Sequence, residues 1–420
     1  MKNKEYDAII IGGGASGMIS AIIAASLGKQ VLVLEQKAKL CKKIYATGNG
    51  KCNFTNRDWE LSCFRGRNPE LAKPVLDAFS LEETLKFFHG IGVYPKERNG
   101  YFYPGSEQAA SVAECLSREA ERLQVNCITG CKVQRVAKGK DGLFCAGTEQ
   151  GTFYGKKLVL ATGGMASPAH GSDGSGYPFA KGFGHSVIPP LPAIVQLKAE
   201  GKFFKTLAGV RTEGRITLYA GDETYSEEGE LLFAAYGISG IPVMQVSRYA
   251  SLALSRKEKV TAKLDLFPLL SEEDLKDEIT RRFRRDSKSS AEEVLAGLCN
   301  HKLNYVILML CGIEPTANAQ SLSVKDAANV AKKIKQFIVT ITDTNGFEQA
   351  QACAGGVPLT ELNETMESKL VPGLYITGEL ADIDGTCGGY NLQWAWSSGV
   401  AAGRDIGGYY ASHSTVKAGN

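Results

Sequence analysis

The stretch that decides the fold is Tyr6-Asp7-Ala8-Ile9-Ile10-Ile11-Gly12-Gly13-Gly14-Ala15-Ser16-Gly17. Ala8 to Ile11 is a short apolar run of the kind found in buried parallel strands. Gly12, Gly14 and Gly17 follow with the G-x-G-x-x-G spacing. In this pattern the first glycine permits a tight turn, the second lets a pyrophosphate approach the backbone, and the third lets the next helix pack close to the strand. The stretch therefore predicts a Rossmann-type dinucleotide site.

An acidic residue stands where the second strand of this unit should end. Glu35 follows the apolar run Val31 to Leu34, about 20 residues after the glycines, as the pattern requires. A carboxylate here accepts hydrogen bonds from both ribose hydroxyls of an adenosine and repels a 2′-phosphate, which favours FAD or NAD over NADP. The residues expected to complete the adenosine and pyrophosphate contacts are Ala15, Ser16, Gln36 and Val133.

The composition of the 420 residues excludes several classes of protein. A net charge of +3, from 48 basic and 45 acidic residues, is too balanced for a nucleic-acid footprint. No apolar run reaches the ~18 residues of a membrane span, and the first strand begins too early for a signal peptide. The eleven cysteines are scattered without a C-x-x-C pair, so neither a disulfide framework nor a metal site is expected. We expect a cytoplasmic enzyme with a small-molecule substrate, monomeric or homodimeric, without nucleic-acid or membrane partners.

Local patterns predict several further elements. Apolar spacing predicts a helix from Leu71 to Phe88, and Asn99-Gly100 predicts a tight hairpin turn. Ser111 to Glu114 and Ser271 to Asp274 both have the capping-box pattern that opens a helix. The character of the chain changes near Pro189 to Pro192, after which it is rich in strands and turns.

Three later segments favour a flavin as the dinucleotide. Ala161-Thr162-Gly163 ends a buried strand, so bare backbone can lie against a cofactor, although a plain strand end has the same pattern. Gly378-Glu379 and Asp384 belong to an acidic turn that can approach the ribityl chain of a flavin. A simple Asx turn is the alternative. Gly389-Tyr390-Asn391-Leu392-Gln393 opens an apolar helix, whose start would stabilise the negative charge of a flavin that accepts a hydride. An ordinary glycine-led helix start is the alternative.

A flavin performs its own hydride chemistry, so no catalytic triad is expected. Tyr390 is the candidate catalytic residue, as a proton donor to a substrate over the flavin, with ring packing as the alternative. Cys52 and Cys387 invite a redox interpretation, but neither has a second cysteine within a few residues, and cysteine is often a small buried apolar residue. His170 lies in a glycine-rich loop and would act as an acid or base only with a supporting partner.

Several motifs resemble those of a bacterial family of three-domain flavoproteins that includes the bile-acid-pathway protein BaiN and aminoacetone oxidase. The block Ala46 to Asn56 is similar to the family's Gly-Asn-Gly-Arg-Cys-Asn signature. Lys51 stands where the family usually has arginine, which keeps the charge, whereas Ala234-Ala235 and Thr386-Cys387 depart from the commoner patterns. The other similar segments are Leu231 to Phe233, Tyr236 to Gly240, Thr365 to Lys369, Gly373 to Tyr375 and Gly389 to Gln393.

The resemblance implies an α/β fold: a split Rossmann-type FAD-binding domain with an inserted β-barrel-like domain and a small helical domain. In this chain the FAD-binding domain is expected at 1–192 and 346–420, the β-rich insert at 193–268 and 336–345, and the helical cap at 269–335. FAD is implied as a non-covalent cofactor. The further residues expected to contact it, most of them in the signature block, are Lys43, Gly48, Asn49, Gly50, Lys51, Cys52 and Asn53; a solvated lysine is the alternative for Lys51.

Three functions remain open from the sequence. The leading hypothesis is an FAD-dependent oxidoreductase in which NAD(P)H reduces the flavin and the flavin passes a hydride to an activated C=C, as in a 3-oxo steroid or bile-acid-like enone. The alternative is an amine oxidase of the aminoacetone type that produces hydrogen peroxide. A flavoprotein that acts through a nucleic-acid or protein partner is the third, and the balanced charge counts against it. No second G-x-G-x-x-G is evident mid-chain, so NAD(P)H is expected to dock transiently in the substrate cleft.

Overall fold

The computed structural model describes residues 5–58, 60–285 and 288–410. Within them the strands are β1 (Glu5–Ile11), β2 (Val31–Leu34), β3 (Thr55–Asn56), β4 (Phe64–Arg65), β5 (Pro95–Arg98), β6 (Tyr101–Pro104), β7 (Asn126–Ile128), β8 (Val133–Lys138), β9 (Phe144–Thr148), β10 (Gly151–Leu160), β11 (Ile188–Ala193), β12 (Leu197–Ala199), β13 (Arg211–Ala220), β14 (Glu223–Ala234), β15 (Gly237–Ser239), β16 (Val260–Asp265), β17 (Phe337–Thr344), β18 (Ala352–Gly356), β19 (Leu374–Ile376) and β20 (Asp384–Gly385).

The α-helices of the same residues are α1 (Ala15–Ser26), α2 (Lys73–Asp77), α3 (Leu81–Gly90), α4 (Ala109–Arg122), α5 (Gly176–Gly182), α6 (Phe204–Leu207), α7 (Ile241–Ser255), α8 (Glu272–Arg285), α9 (Ala291–Leu295), α10 (His301–Leu310), α11 (Val324–Lys335) and α12 (Tyr390–Gly407). Within the described residues, none of the helices combines the length and the apolar character that a membrane crossing needs.

The chain forms two compact units, and the first is discontinuous in sequence. It comprises Met1–Pro192 and Gln351–Asn420, while Ala193–Ala350 form the second. The change of unit follows the proline-rich run at 189–192. The division into three domains stays a prediction.

A largely parallel sheet organises the first unit. Its central order is β7-β2-β1-β10, with β19 also pairing with β10, and all four of these pairings are parallel. Strands β9 and β8 continue the sheet in antiparallel fashion beyond the amino-terminal half of β10. Ile9 and Ile10 in β1 are fully buried although they point to opposite faces. Burial on both faces explains the continuous apolar run in the sequence.

Two helices from opposite ends of the chain pack side by side on this sheet. A β-carbon on Gly399 of α12 would lie 2.6 Å from the carbonyl oxygen of Ser16 in α1. A β-carbon on Gly403 would lie 2.8 Å from the carbonyl oxygen of Ser20. Residue numbers rise together in both helices, so α1 and α12 run parallel. Both helices therefore begin toward the same edge of the sheet.

The second unit contains a closed six-stranded barrel of order β12-β15-β14-β13-β16-β17. Helix α8 buries Leu275, Ile279 and Phe283 in one stripe, and these side chains belong to the same apolar cluster as the barrel residues Ile216 and Leu264. The barrel and the helices of this unit thus share one core.

Two of the local predictions are confirmed and two are wrong. Asn99-Gly100 turns between β5 and β6 with positive φ at both residues, and the Ser271 hydroxyl accepts the Asp274 N–H at 3.1 Å as α8 begins. Ser111, however, lies inside α4, which already begins at Ala109. The helix predicted from Leu71 to Phe88 is interrupted, because Ser80 caps the start of α3 by accepting the Glu83 N–H.

Candidate functional site

An open cavity lies in the first unit at the carboxyl ends of the parallel strands. This is the edge at which open α/β sheets bind their ligands. The predicted residues that line it are Gly12, Gly14, Ala15, Ser16, Glu35, Gln36, Lys43, Val133, Ala161, Thr162, Gly163, Gly378, Glu379, Asn391 and Leu392.

Each of the three glycines of the first turn is a glycine for a different steric reason. Gly12 has φ +105°, and a β-carbon there would lie 2.4 Å from the carbonyl oxygen of Ala161. A β-carbon on Gly17 would lie 1.9 Å from the carbonyl oxygen of Gly12, which shows how closely α1 packs on the turn. Gly14 is different, since a β-carbon there meets no protein atom within 4 Å. Gly14 lines the cavity, so this free space is where a ligand can approach the backbone.

The start of α1 lacks a side-chain cap. Gly14 occupies the N-cap position, and no side chain accepts a hydrogen bond from the first turn. The first N–H groups of a helix have no partner within the helix, and the helix dipole makes this end attractive to anions. The start of α1 is therefore suited to a phosphate group.

Glu35 is a buried carboxylate that organises the adjacent loops. Its Oε2 accepts the Gly13 N–H at 2.7 Å, and its Oε1 accepts the Lys37 N–H at 2.6 Å. Burial raises the pKa of Glu35 above its ordinary value, although the two backbone hydrogen bonds partly offset this effect. Each carboxylate oxygen has a further acceptor position. Glu35 can thus still accept hydrogen bonds from a ligand in the cavity.

A second carboxylate, Glu379, joins three segments around the cavity. Its Oε2 accepts the Lys43 ammonium at 2.9 Å and the Gly164 N–H at 3.2 Å, and its Oε1 accepts the Cys353 N–H at 2.8 Å. The side chains of Lys43 and Glu379 are both mostly buried. Lys43 and Glu379 line the cavity as a pair, so neither is an isolated charge.

The start of α12 is the second uncapped helix terminus at the cavity. Gly389 has φ +94° and provides no side-chain cap, and Asn391 and Leu392 of the first turn line the cavity. A β-carbon on Gly389 would lie 2.9 Å from the carbonyl oxygen of Thr55. The glycine is therefore required by both its φ angle and its close approach to strand β3.

The side chain of Gln393 anchors the start of α12 by hydrogen bonds to protein groups outside the cavity lining. Its amide oxygen accepts the Thr55 hydroxyl at 2.6 Å, and its amide nitrogen donates to the Phe79 carbonyl at 3.1 Å and the Ser397 hydroxyl at 3.0 Å. Gln393 is buried and does not line the cavity. Protein partners occupy its amide, so the structure gives it a positioning role.

Tyr390 is also buried outside the cavity lining. Its hydroxyl donates to the Asp58 carbonyl at 2.7 Å, and its ring packs edge-on against Phe64. Burial, together with a hydrogen bond to Cys63, raises the pKa of Tyr390. The proton-donor role of Tyr390 stays a prediction. Asp384 is equally buried, where β20 pairs with β4 opposite Arg65.

The signature block lies beside the cavity rather than in its lining, except for Thr47. Lys51 forms an exposed ion pair with Glu107 at 3.3 Å. Cys52 is fully buried, and this burial raises the pKa of its thiol to about 12, so the thiol stays protonated at neutral pH. The eleven cysteines all lie in the described part of the chain, and none of them forms a disulfide. The predicted residues of this block that do not line the cavity are Gly48, Asn49, Gly50, Lys51, Cys52 and Asn53.

Several lining residues carried no signal in the sequence. Six of them come from the loop after β7 and from the loop between β10 and α5, which the fold brings next to Glu35. The Gly130 N–H donates to the Lys37 carbonyl, and the Gln36 amide donates to the Gly171 carbonyl at 2.8 Å. In the second of these loops, the sequence indicated His170 as a loop histidine and Gly171 to Gly176 as a flexible turn over the cofactor. The lining residues that it did not assign to the cofactor are Ile11, Leu34, Lys42, Ile44, Thr47, Cys131, Lys132, His170, Gly171, Ser172, Ser175, Phe179, Gln351 and Ala395.

The glycine turn, the buried acid and the two helix starts define a dinucleotide-binding protein of the Rossmann type, with a fold of the FAD-binding class. The chain belongs to the HI0933-like Rossmann family, whose profile matches residues 6–405. In the part of the chain that the structure describes, no group of three or more His, Cys, Asp or Glu side chains could hold a metal ion.

Curated relatives match the chain over nearly its full length. It is 42% identical to a 3-dehydro-bile acid delta(4,6)-reductase of Clostridium scindens, with 94% of this chain and 97% of the relative covered. It is 32% identical to a ribosomal RNA dihydrouridine synthase of Escherichia coli K12, with 96% and 98% covered.

Solved structures resemble the chain in fold. The 3-ketosteroid delta1-dehydrogenase of Sterolibacterium denitrificans, in complex with 1,4-androstadiene-3,17-dione, is similar with a TM-score of 0.52 and 12% identity, covering 96% of this chain and 100% of that one. At this identity the likeness shows a shared fold and nothing about substrates.

Proposed function

We propose that this protein is an FAD-dependent oxidoreductase that saturates a carbon–carbon double bond conjugated to a carbonyl, in a 3-oxo steroid or bile-acid-like molecule. The observation that carries the proposal is the 42% identity, over almost the whole of both chains, to a reductase whose name specifies a 3-dehydro bile acid as its substrate. The cavity must then hold the cofactor and leave room for such a substrate.

The residues of the cavity fit FAD. Gly14 leaves free space at the phosphate-binding turn where α1 begins, and both α1 and α12 begin at the cavity without side-chain caps. Ser16 lies opposite Gly399, whereas α12 begins nine residues earlier, at Tyr390. Helix α1 begins one residue before Ser16, so the two helix starts differ by eight residues; at 1.5 Å per residue this is an offset of roughly 12 Å along the helix axis. Such an offset suits a ligand with a phosphate group at one end and an electron-accepting ring at the other.

Bound in this cavity, FAD would supply the hydride transfer itself. The chain's residues would bind and orient it. Glu35 would accept the ribose hydroxyls, and the first turn of α1 would donate N–H groups to the pyrophosphate. The first turn of α12, held by Gln393, would stabilise negative charge at the far end of the cavity.

The overall reaction would consume one NAD(P)H and one proton for each double bond saturated. The hydride would go to the carbon remote from the carbonyl, and the proton would go to the neighbouring carbon. Tyr390 stays the predicted proton donor, and its hydroxyl would first have to leave the Asp58 carbonyl. NAD(P)H is proposed to dock transiently in the substrate cleft.

A second candidate function is reduction of uridine in ribosomal RNA. It is favoured by the relative of that name in Escherichia coli, at 32% identity over 96% of this chain. Dihydrouridine formation also saturates a double bond conjugated to a carbonyl, so the two candidates share one chemistry and differ in substrate. The higher identity to the bile acid reductase and the net charge of only +3 favour the small substrate.

Anaerobic mixing of the purified protein with NADH, NADPH or a primary amine would test the proposal. We expect about one equivalent of NADH or NADPH per flavin to abolish the flavin absorbance near 450 nm. The amine should leave this absorbance unchanged. Loss of absorbance with the amine alone, followed by peroxide formation in air, would instead establish the oxidase alternative. Saturation of uridines in added ribosomal RNA, without any reaction of 3-oxo steroids, would establish the RNA candidate.

A further inference from the structure

A short β-hairpin beside the cavity carries two tyrosines and two cations on one face. In its strands β5 and β6, Lys96 pairs with Tyr103. Arg98 pairs with Tyr101 in the same way. Directly paired residues point to the same side of a hairpin, and residues two apart on a strand share that side. Phe102, between the two tyrosines, packs on the apolar core of the first unit. The four paired side chains therefore point away from that core, and together we call them the tyrosine face.

The tyrosine face lies next to two segments that border the proposed flavin end of the cavity. A β-carbon on Gly388, just before α12, would lie 3.1 Å from Cε1 of Tyr101. A β-carbon on Gly48 would lie 4.0 Å from Cε1 of Tyr103. The start of α12 and Thr47, next to Gly48, both line the cavity. The two tyrosines are thus at the edge of the cavity, at the end where α12 begins.

Within the described ranges of the chain, Arg98 forms no ion pair, unlike two neighbouring cations. Lys96 forms an ion pair with Glu107. Arg57, in the loop before the hairpin, forms one with Asp58 at 3.3 Å. The Arg98 side chain is exposed, and a guanidinium can bind a carboxylate through two parallel hydrogen bonds. Arg98 is therefore available to an anionic ligand that lies on the tyrosine face.

We propose that the tyrosine face binds the substrate and selects one that carries a carboxylate. Residues two apart on a strand are about 7 Å from each other, so the fused rings of a 3-oxo steroid nucleus lie across both Tyr101 and Tyr103. The Arg98 guanidinium binds the carboxylate at the end of a bile-acid side chain. The proposal rests on the proposed reductase function and deepens it, because it specifies a bile acid instead of a neutral steroid.

Reoxidation of the dithionite-reduced holoenzyme would test the role of Arg98, with two substrates that share a conjugated 3-oxo ring and differ in a side-chain carboxylate. Arg98→Gln should raise the half-saturating concentration of the acid about fivefold, the scale of one ion pair at an exposed site. It should leave that of the neutral steroid unchanged. High salt should weaken binding of the acid to the wild type but not to Arg98→Gln. Arg122→Gln, which alters an exposed arginine at the end of α4, is the matched control.

The same assay would test the tyrosines. Tyr101→Ala should weaken both substrates about tenfold, because apolar contact with their rings is lost. Tyr101→Phe keeps the ring and should restore most of the affinity. Tyr219→Ala, which alters a similarly exposed tyrosine of β13 in the other unit, should change neither value.

Wild-type affinity of Arg98→Gln for the acid would overturn the proposal, and so would an equal loss for the acid and the neutral steroid. A wild type that reduces neither substrate would refute the reductase function. Titration of the oxidised holoenzyme with the acid, followed by the flavin spectrum, would then still report whether Arg98 binds the carboxylate. Saturation of uridines in ribosomal RNA that is lost in Arg98→Gln, without any binding of the acid, would assign this face to RNA and overturn the proposal.

Discussion

The Ser20 hydroxyl donates a hydrogen bond of 3.0 Å to the backbone carbonyl of Gly399, 379 residues further along the chain. The same hydroxyl donates to the Ser16 carbonyl at 2.8 Å, so one small side chain joins α1 to α12. Glycines on α12 let the two backbones approach closely at this point. This parallel contact brings both helix starts to one cavity and makes the first and last parts of the chain a single binding unit.

Gly399→Val should destabilise the protein and weaken cofactor retention together. The β-carbon of a valine at position 399 would lie 2.4 Å from Cγ2 of Ile19, so α1 and α12 would have to move apart. Overpacking of this kind costs about 1–3 kcal/mol. The thermal midpoint and the amount of released FAD should both fall. Gly182→Val, at an exposed helix end with free space around it, should leave both unchanged. Normal FAD retention in the destabilised Gly399→Val would argue against coupling through this contact.

Gly12→Ala and Gly14→Ala should separate folding from binding. Gly12 has φ +105° and lies against Ala161, so Gly12→Ala should lower stability by about 2–4 kcal/mol. Gly14 has φ −82° and free space around its β-carbon position. Gly14→Ala should therefore keep the wild-type unfolding midpoint but bind FAD at least about tenfold more weakly, since a methyl group would enter the phosphate space. Wild-type FAD affinity in Gly14→Ala would place the pyrophosphate elsewhere.

The glycine pattern and Glu35 could be predicted from sequence because each has a local cause. The φ angle at Gly12 and the helix contact at Gly17 are properties of a short segment, and that segment has a recognisable spacing. The capping pattern at Ser271 succeeded for the same reason. The similar pattern at Ser111 failed because α4 already begins at Ala109 without a side-chain cap, and tertiary burial of Ala109 and Val112 favours this earlier start.

The remaining part of the site depends on contacts between distant segments. Gln393 meets Thr55 and Thr84, more than 300 residues away, and no local pattern distinguishes an amide that binds protein from one that binds a ligand. His170 and Lys132 reach the cavity because β7, β10 and their loops lie next to β2 or β1 in the sheet. Single loop residues of this kind have no periodicity, so only the folded structure identifies them as lining residues.

Gln393→Leu should destabilise the first unit and disturb the start of α12. The variant leaves the Thr55 hydroxyl without its buried acceptor and removes the nearer of the two donors to the Phe79 carbonyl, at a cost of about 1–3 kcal/mol. The urea midpoint should fall, and FAD should bind more weakly. Gln320→Leu, an exposed glutamine in the other unit, is the control. A variant as stable as wild type would show that the network around Gln393 contributes little.

Acid should weaken a second buried network, in which His185 lies between Glu361 and Ser368. Its Nδ1 contacts Glu361 at 2.7 Å and its Nε2 contacts the Ser368 hydroxyl at 2.8 Å. Burial alone would raise the pKa of Glu361, but hydrogen bonds from Ser186 and His185 outweigh it and hold the pKa below its ordinary value of 4.5. The ionised carboxylate therefore stabilises the fold above pH 4.5, and this stabilisation is lost as the pH falls through the lowered pKa.

Thermal midpoints across this pH range would check the effect. Glu361→Gln should be less stable than wild type at neutral pH, and the difference should shrink as the pH falls below 4.5. Glu364→Gln, which alters an exposed carboxylate three residues away, should show no such difference. A stability gap that stays constant down to acid pH would mean that the charge of Glu361 is not what stabilises the network.

The most direct test of the proposed reaction is to reduce the flavin of the purified protein chemically under anaerobic conditions and add a 3-oxo-Δ4 steroid or a 3-oxo bile acid with a conjugated double bond. Reduction by dithionite makes the test independent of the natural electron donor. The expected result is full return of the oxidised flavin spectrum, with one saturated 3-oxo product formed per flavin. A spectrum that stays bleached with every conjugated 3-oxo substrate, but returns with oxygen to give hydrogen peroxide, would contradict the reductase function.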